Sequence, residues 1–237
     1  MDPQWFVTHA CRALPEQIRA IVLYGSAAAG DFVPGKSHYD LLVVAEELGI
    51  AELRNLAAVV RPWREAGHPL PLLFTPAQLA ASADAFALEF EDMLHARKVL
   101  YGQDPIAGLT IDPAHVRLHL ERELKGKALG LRDRYVMAAG DRARLIGLLA
   151  ESLSTFLVLF RAALRLFRPQ APVQKLAALR LLAQDVPFDP QPFLIVAEIR
   201  AGQRSPRQVD AESLCAGYLA AIDAVTHAVD QKLHAHA

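Results

Sequence analysis

Ile21-Val22-Leu23-Tyr24-Gly25-Ser26, with His38-Tyr39-Asp40-Leu41-Leu42-Val43-Val44 following shortly after, is the stretch on which the reading of this chain turns. Ile18 to Tyr24 is apolar and β-branched enough for a strand, and it stops at Gly25. Gly25 allows a backbone to approach a phosphate with no side chain in the way, and Ser26 adds a hydroxyl. The N–H groups of Ala27 and Ala28, at the start of a helix, would face outward with positive partial charge. Leu41 to Val44 is a continuous apolar run, the pattern of a strand covered on both faces. If that strand extends back to residue 38, His38 and Asp40 share one of its faces, because side chains alternate.

A strand, a Gly-Ser turn opening a helix, and then a strand carrying Asp40 resembles the signature of the nucleotidyltransferase superfamily, of the polymerase-beta-like, aminoglycoside-modifying kind, in which the second strand bears an acidic pair. The resemblance covers roughly residues 15–75 by motif. It implies that Gly25 and Ser26 hold the triphosphate of a nucleotide and that Asp40 is catalytic and a metal ligand; Lys36 either leans toward that phosphate or is a solvated loop charge. The superfamily writes its acidic pair as Asp-x-Asp; this chain has His38 in the first position. It also takes a third carboxylate from a later strand, and Leu70-Pro71-Leu72-Leu73-Phe74 contains none. Two of three expected carboxylates are therefore missing. Mg²⁺ demands oxygen ligands in near-octahedral geometry, whereas an imidazole such as His38 suits softer ions, so Mg²⁺ or Mn²⁺ with Asp40 and His38 is the implied metal set. Phosphoryl transfer rests on positioning and charge neutralisation. Loss of one donor to a developing charge already costs about 3–4 kcal/mol, roughly a hundred- to thousandfold in rate.

The rest of the chain supplies the frame. Pro3 to Ala13 and Ile50 to Ala66 read as helices, Leu70 to Phe74 as a third strand, and Thr75-Pro76 as an N-cap with proline in the first turn. Alternating strands and helices predict a small mixed sheet with helices against it. Gly102, Asp104-Pro105, Gly108 and Asp112-Pro113 are loop chemistry, which predicts a nucleotidyltransferase-like domain over 1–110 and a helical bundle domain over 111–237. In the latter, helices are expected at 113–137, 141–167, 173–182, 190–201 and 210–234; short links make the bundle antiparallel. The expected class is α+β.

Composition narrows the function classes. Hydrophobic residues make up 53% and charged residues 22% of 237 residues, which is globular rather than disordered. A net charge of -1 gives no global attraction to nucleic acid or to an anionic membrane. Cys11 and Cys215 are far apart and outside any C-x-x-C pattern; with no basic-then-apolar leader, a cytoplasmic location is expected. Leu145 to Phe160 is the most apolar segment, but Glu151 interrupts it and Arg161 follows, which favours a buried bundle helix over a membrane span.

Several other features are weighed. Gly30 to Ser37 satisfies the P-loop formula G-x-x-x-x-G-K-[ST], yet a strand rather than a helix follows it and Pro34 lacks an amide; it is read as a loop. Asp31 and Glu46 are near enough in sequence to offer compensating oxygens. Glu89, Glu91, Asp92 and His95 share one helix, where Glu91 and His95 read as a surface pair and Glu89 or Asp92 would reach the site only if that helix packs beside the first strand. Six bases from Arg117 to Arg134 face three acids; pairs Glu121–Lys125 and Glu123–Lys127 explain much of this as a solvated face. An alternative turns Lys125 or Lys127 toward the phosphate site. The bundle lacks the Arg-to-His spacing of the endoribonuclease-like helical type, with its only counterpart, Arg61 and His68, in the other half.

The expected function is a nucleotide- or phosphate-binding protein of nucleotidyltransferase fold with catalysis weakened or lost. One alternative is an active, metal-dependent transferase moving a nucleoside monophosphate onto a small molecule or protein. Another is a non-catalytic interaction module. A nucleoside triphosphate is the expected partner, the acceptor and the state of self-association stay open, and no membrane or nucleic-acid partner is expected.

Overall fold

Strands β1 (Ile18–Tyr24) and β2 (Asp40–Ala45) are buried on both faces, which is why their sequences run apolar without alternation. Ile21, Leu23, Leu41 and Val43 point into one core with Phe6, Leu56 and Trp63; Ala20, Val22, Leu42 and Val44 point into another with Phe74, Phe90 and Met93. Helices α1 (Pro3–Ala13) and α3 (Ile50–Glu65) cover the first face. Helices α4 (Pro76–Ala81) and α5 (Ala87–His95) cover the second. Between β1 and β2 lies a four-residue helix, α2 (Gly25–Ala28). The computed structural model describes residues 1–32 and 37–232.

The sheet has four strands in the order β3-β2-β1-β4. β3 (Leu72–Phe74) runs parallel to β2, and β4 (Arg97–Gly102) runs antiparallel to β1. Two details correct the sequence reading. The third strand is shorter than Leu70 to Phe74, beginning only after Pro71, which has no N–H to give to a ladder. The fourth strand was not expected at all. It is an edge strand bearing Arg97 and Lys98, with only partial burial, so it carries no apolar run to announce it. Helix starts follow their caps: Asp2 accepts from the Trp5 amide, and Thr75 and Gln78 form a reciprocal capping box.

The chain divides into two units, Met1–His115 and Val116–Ala237. The second is helical: α6 (Pro113–Ala138), which starts just before the division, α7 (Arg142–Phe167), α8 (Lys175–Asp185), α9 (Gln191–Ala201) and α10 (Ala211–Gln231). α7 packs against α8, α9 and α10 and buries fourteen residues along its length. It is long and apolar enough to cross a membrane by length and composition. In this fold Leu145, Leu149, Phe156, Phe160 and Leu164 instead supply the core. Phe193 stacks on Tyr218 at 3.9 Å between ring centroids and lies 4.9 Å from Phe160. Arg161 is wholly buried, its guanidinium donating to the Val173 carbonyl, so the link after α7 is tied back to its helix.

Two substitutions test this packing. Gly102 has φ +73°, and a Cβ there would lie 1.9 Å from the Arg19 carbonyl oxygen, so Gly102→Ala is expected to destabilise the sheet unit by about 3 kcal/mol. Phe193→Ala leaves a hole between two rings and is expected to cost about 3–5 kcal/mol in the helical unit. Urea titrations of each variant check both; midpoints equal to that of the natural protein would contradict the packing described.

Candidate functional site

The antiparallel register of β1 and β2 sets Tyr24 directly opposite Asp40. The chain then turns through Gly25 with φ +69°, a left-handed conformation in which an L side chain is strained. A Cβ at Gly25 would lie 2.6 Å from Asp40 Oδ2. The Asp40 carboxylate therefore rests against the bare Cα of the Gly-Ser turn, beside Ser26. Ser26 is half-buried, and its carbonyl accepts the Asp31 amide at 2.9 Å, closing the turn that follows α2. The helix after the turn is only one turn long, so little dipole accumulates; what the turn offers an anion is local N–H groups and an unobstructed approach.

Negative charge gathers at this end of the sheet. The Tyr24 phenol is mostly buried and its pKa is pushed well above the ordinary tyrosine value. Burial is the main cause, and the charges of Asp40, Glu89 and Asp92 add to it. α5 thus runs beside the end of β1, the arrangement on which the reach of Glu89 or Asp92 depended. Phe90 and Met93 anchor α5 in the core, while Glu89 and Asp92, three residues apart, share a different face. Arg97 fastens the end of α5 to β4: its guanidinium pairs with Asp104 at 2.8 Å and donates to the Leu94 carbonyl at 2.7 Å and the Met93 carbonyl at 3.3 Å.

The remaining sequence candidates fall out differently. β2 begins at Asp40, so His38 is exposed and precedes the strand; the shared face inferred for positions 38 and 40 does not exist as strand geometry. Lys36, and with it residues 33–36 of the P-loop-like Gly30 to Ser37 segment, lies outside the described residues. Glu46 sits at the far end of β2, where it pairs with Arg19 at 2.5 Å, too far along the strand to help Asp40. Glu91 and His95 form the expected pair at 3.0 Å. Lys125 binds Glu121 and lies 3.7 Å from Asp230, and Lys127 lies 3.6 Å from Glu123, so both lysines of α6 are held in ion pairs. A groove of about 790 Å³ lined by Arg19, Glu46, Leu79, Tyr101 and Asp104 lies at the sheet end away from Tyr24.

Sequence reasoning missed two contributors. Tyr24 was read only as the strand's last residue, although an aromatic hydroxyl beside a Gly-Ser turn was visible. Tyr39 was passed over too. Its ring stacks on Phe32 at 4.7 Å and lies 5.2 Å from the His68 ring, which packs on Trp63 at 4.1 Å. Its amide donates to His68 Nδ1 at 3.4 Å. This cluster fixes the residue just before Asp40, and no local pattern links residues so far apart in sequence.

Among the described residues no group of three or more His, Cys, Asp or Glu is arranged to hold a metal ion. One carboxylate at a phosphate-accessible turn nevertheless fits a hard cation that arrives with a nucleotide, since Mg²⁺ is commonly held by one or two carboxylates together with substrate phosphates and water.

No protein-family model and no curated protein matches the sequence. Among solved structures, the chain is similar to spectinomycin adenyltransferase AAD(9) from Enterococcus faecialis, solved with ATP and spectinomycin. The TM-score is 0.59 at 15% identity, over 95% of this chain and 97% of that one. The likeness carries the architecture, a mixed sheet followed by helices, which this chain shares with that adenyltransferase.

Proposed function

We infer that the sheet unit binds the phosphate chain of a nucleoside triphosphate at Gly25 and Ser26, with Asp40 facing the cation that accompanies it, and that nucleotidyl transfer from this site is slow. The observation that carries this reading is the contact between the Asp40 carboxylate and the Cα of Gly25. It puts a hard anionic ligand beside a turn that a phosphate can approach, in a fold shared with a protein solved with ATP. Slow transfer follows from the donor set. The position two residues before Asp40 is a histidine outside the strand, and β3 bears no acid, so the developing charge meets less compensation than phosphoryl transfer needs.

A second reading is favoured by one specific observation: α5 anchors Phe90 and Met93 in the core against which Tyr24 packs, so the charges of Glu89 and Asp92, with that of Asp40, act on the Tyr24 phenol. In that reading the protein is an active transferase. An acceptor hydroxyl oxygen attacks the α-phosphorus, the bond to the departing pyrophosphate breaks, and Glu89 or Asp92 takes the hydroxyl proton. The acceptor would be a hydroxylated small molecule, in keeping with the solved neighbour's spectinomycin. A bound divalent cation would supply charge neutralisation at the phosphates.

Calorimetry with ATP and GTP, with and without Mg²⁺, tests the first reading. Binding in Mg²⁺ is expected to weaken about tenfold or more in Asp40→Asn and to be abolished in Gly25→Val, whose side chain meets the Asp40 carboxylate. Absence of binding by any nucleotide would leave an interaction module in its place. Pyrophosphate release from ATP, measured with a panel of aminocyclitol and amino-sugar acceptors, decides between the two readings. Turnover that disappears in Glu89→Gln or Asp92→Asn, with binding retained, establishes the transferase.

A further inference from the structure

Helix α6 is apolar on both sides. Val116, Leu120, Leu124, Leu131 and Ala138 are buried. On the opposite side Leu118 is 53%, Leu129 58% and Met137 79% exposed. Single exposed apolar residues need no explanation, but a row of them along one helix marks a contact surface.

The order of that row identifies what it contacts. Leu118, Arg122, Gly126, Leu129, Asp133 and Met137 follow at steps of 4, 4, 3, 4 and 4 residues. With 3.6 residues per turn these steps keep all six on one exposed face, about 28 Å long at 1.5 Å per residue. The step pattern reads the same in both directions from a midpoint between Lys127 and Ala128. Two such helices laid antiparallel about a two-fold axis through that midpoint bring Leu118 opposite Met137, Arg122 opposite Asp133 and Gly126 opposite Leu129, each pair twice.

Every one of those pairs is complementary. Arg122 and Asp133 are exposed, and neither has an ion-pair partner among the described residues, although Lys125, Lys127, Arg132 and Arg134 on the same helix are all paired. Gly126 has nothing within 4 Å of where a Cβ would stand, so the helix surface there is open to the approach of a leucine. Met137 lines a groove of about 480 Å³ between α6 and α7 together with Ala138, Gly147 and Leu148, rimmed by Asp133 and the paired Arg134 and Glu151. We propose that this face of α6 is an isologous interface and that its occupant is α6 of a second copy of the chain. A self-complementary row is what two-fold symmetry requires, since each residue must suit its counterpart in both directions. An unrelated partner would impose no such palindrome.

Sedimentation velocity on the full chain over a range of concentrations tests this independently of nucleotide binding. The natural chain is expected to be a dimer. Arg122→Asp alone and Asp133→Arg alone place like charges opposite each other twice and are expected to raise the dissociation constant at least about tenfold. The double exchange restores opposite charges and is expected to recover the dimer. Gly126→Phe puts a bulky ring where the two helices approach and is expected to give monomer, with far-UV circular dichroism unchanged. A natural chain that is monomeric at every concentration would overturn the proposal. So would a dimer indifferent to both single exchanges, or a double exchange no better than the singles.

Discussion

The antiparallel pairing of β1 with β2 is the constraint on which the candidate site depends. Both strands bury side chains on both faces, so a slip by one residue would exchange the contents of two cores at once. Ile21 and Val43 would have to leave the core built on Trp63, while Val22 and Leu42 would have to leave the one built on Phe90. The register is therefore held by packing far larger in scale than any hydrogen bond at the strand ends. Its by-product is the placement of Tyr24 opposite Asp40, and from that the contact of the Asp40 carboxylate with Gly25. The geometry of the site is inherited from hydrophobic burial.

The charge arrangement is a separate matter. Partial burial and anionic neighbours raise the Tyr24 phenol's pKa above the ordinary tyrosine value; both effects disfavour a further negative charge there. The same field that opposes tyrosinate attracts a cation. An accompanying divalent ion would thus find a favourable potential near the turn even though the residues lining it do not form a closed ligand set. Arg97 lies across from Tyr24 in the other pairing, but its guanidinium is committed to Asp104 and to the end of α5, so it braces the acidic end without neutralising it.

Much of this was legible in the sequence, for definite reasons. α1 and β1 announce themselves through Asp2-Pro3 and through the apolar run ending at Gly25, and the boundaries match residue for residue. The five C-terminal helices follow their Pro, Gly and Asp punctuation, with α8 starting two residues later and ending three residues later than expected. The Gly25–Asp40 partnership was legible because turn and strand lie close in sequence. What was hidden shares one property: it needs contacts between segments distant along the chain. β4 looks like a loop until β1 is beside it. Glu89 and Asp92 look like surface acids until α5 is set against the sheet. His68 supports Tyr39 across a separation that no periodicity bridges. The placement of His38 failed for a different reason, because a strand was extended backward through residues with no apolar alternation to hold them in it.

The two indoles of this chain are both in the sheet unit, and each lies against an imidazole: Trp5 on His9 and Trp63 on His68, both at 4.1 Å. The helical unit contains no tryptophan, while helices there supply much of the ellipticity. Intrinsic emission is therefore a private channel for the sheet unit, and one that reports on the two indole–imidazole contacts within it. Melting followed by emission and by ellipticity on one sample would resolve the two halves without any label.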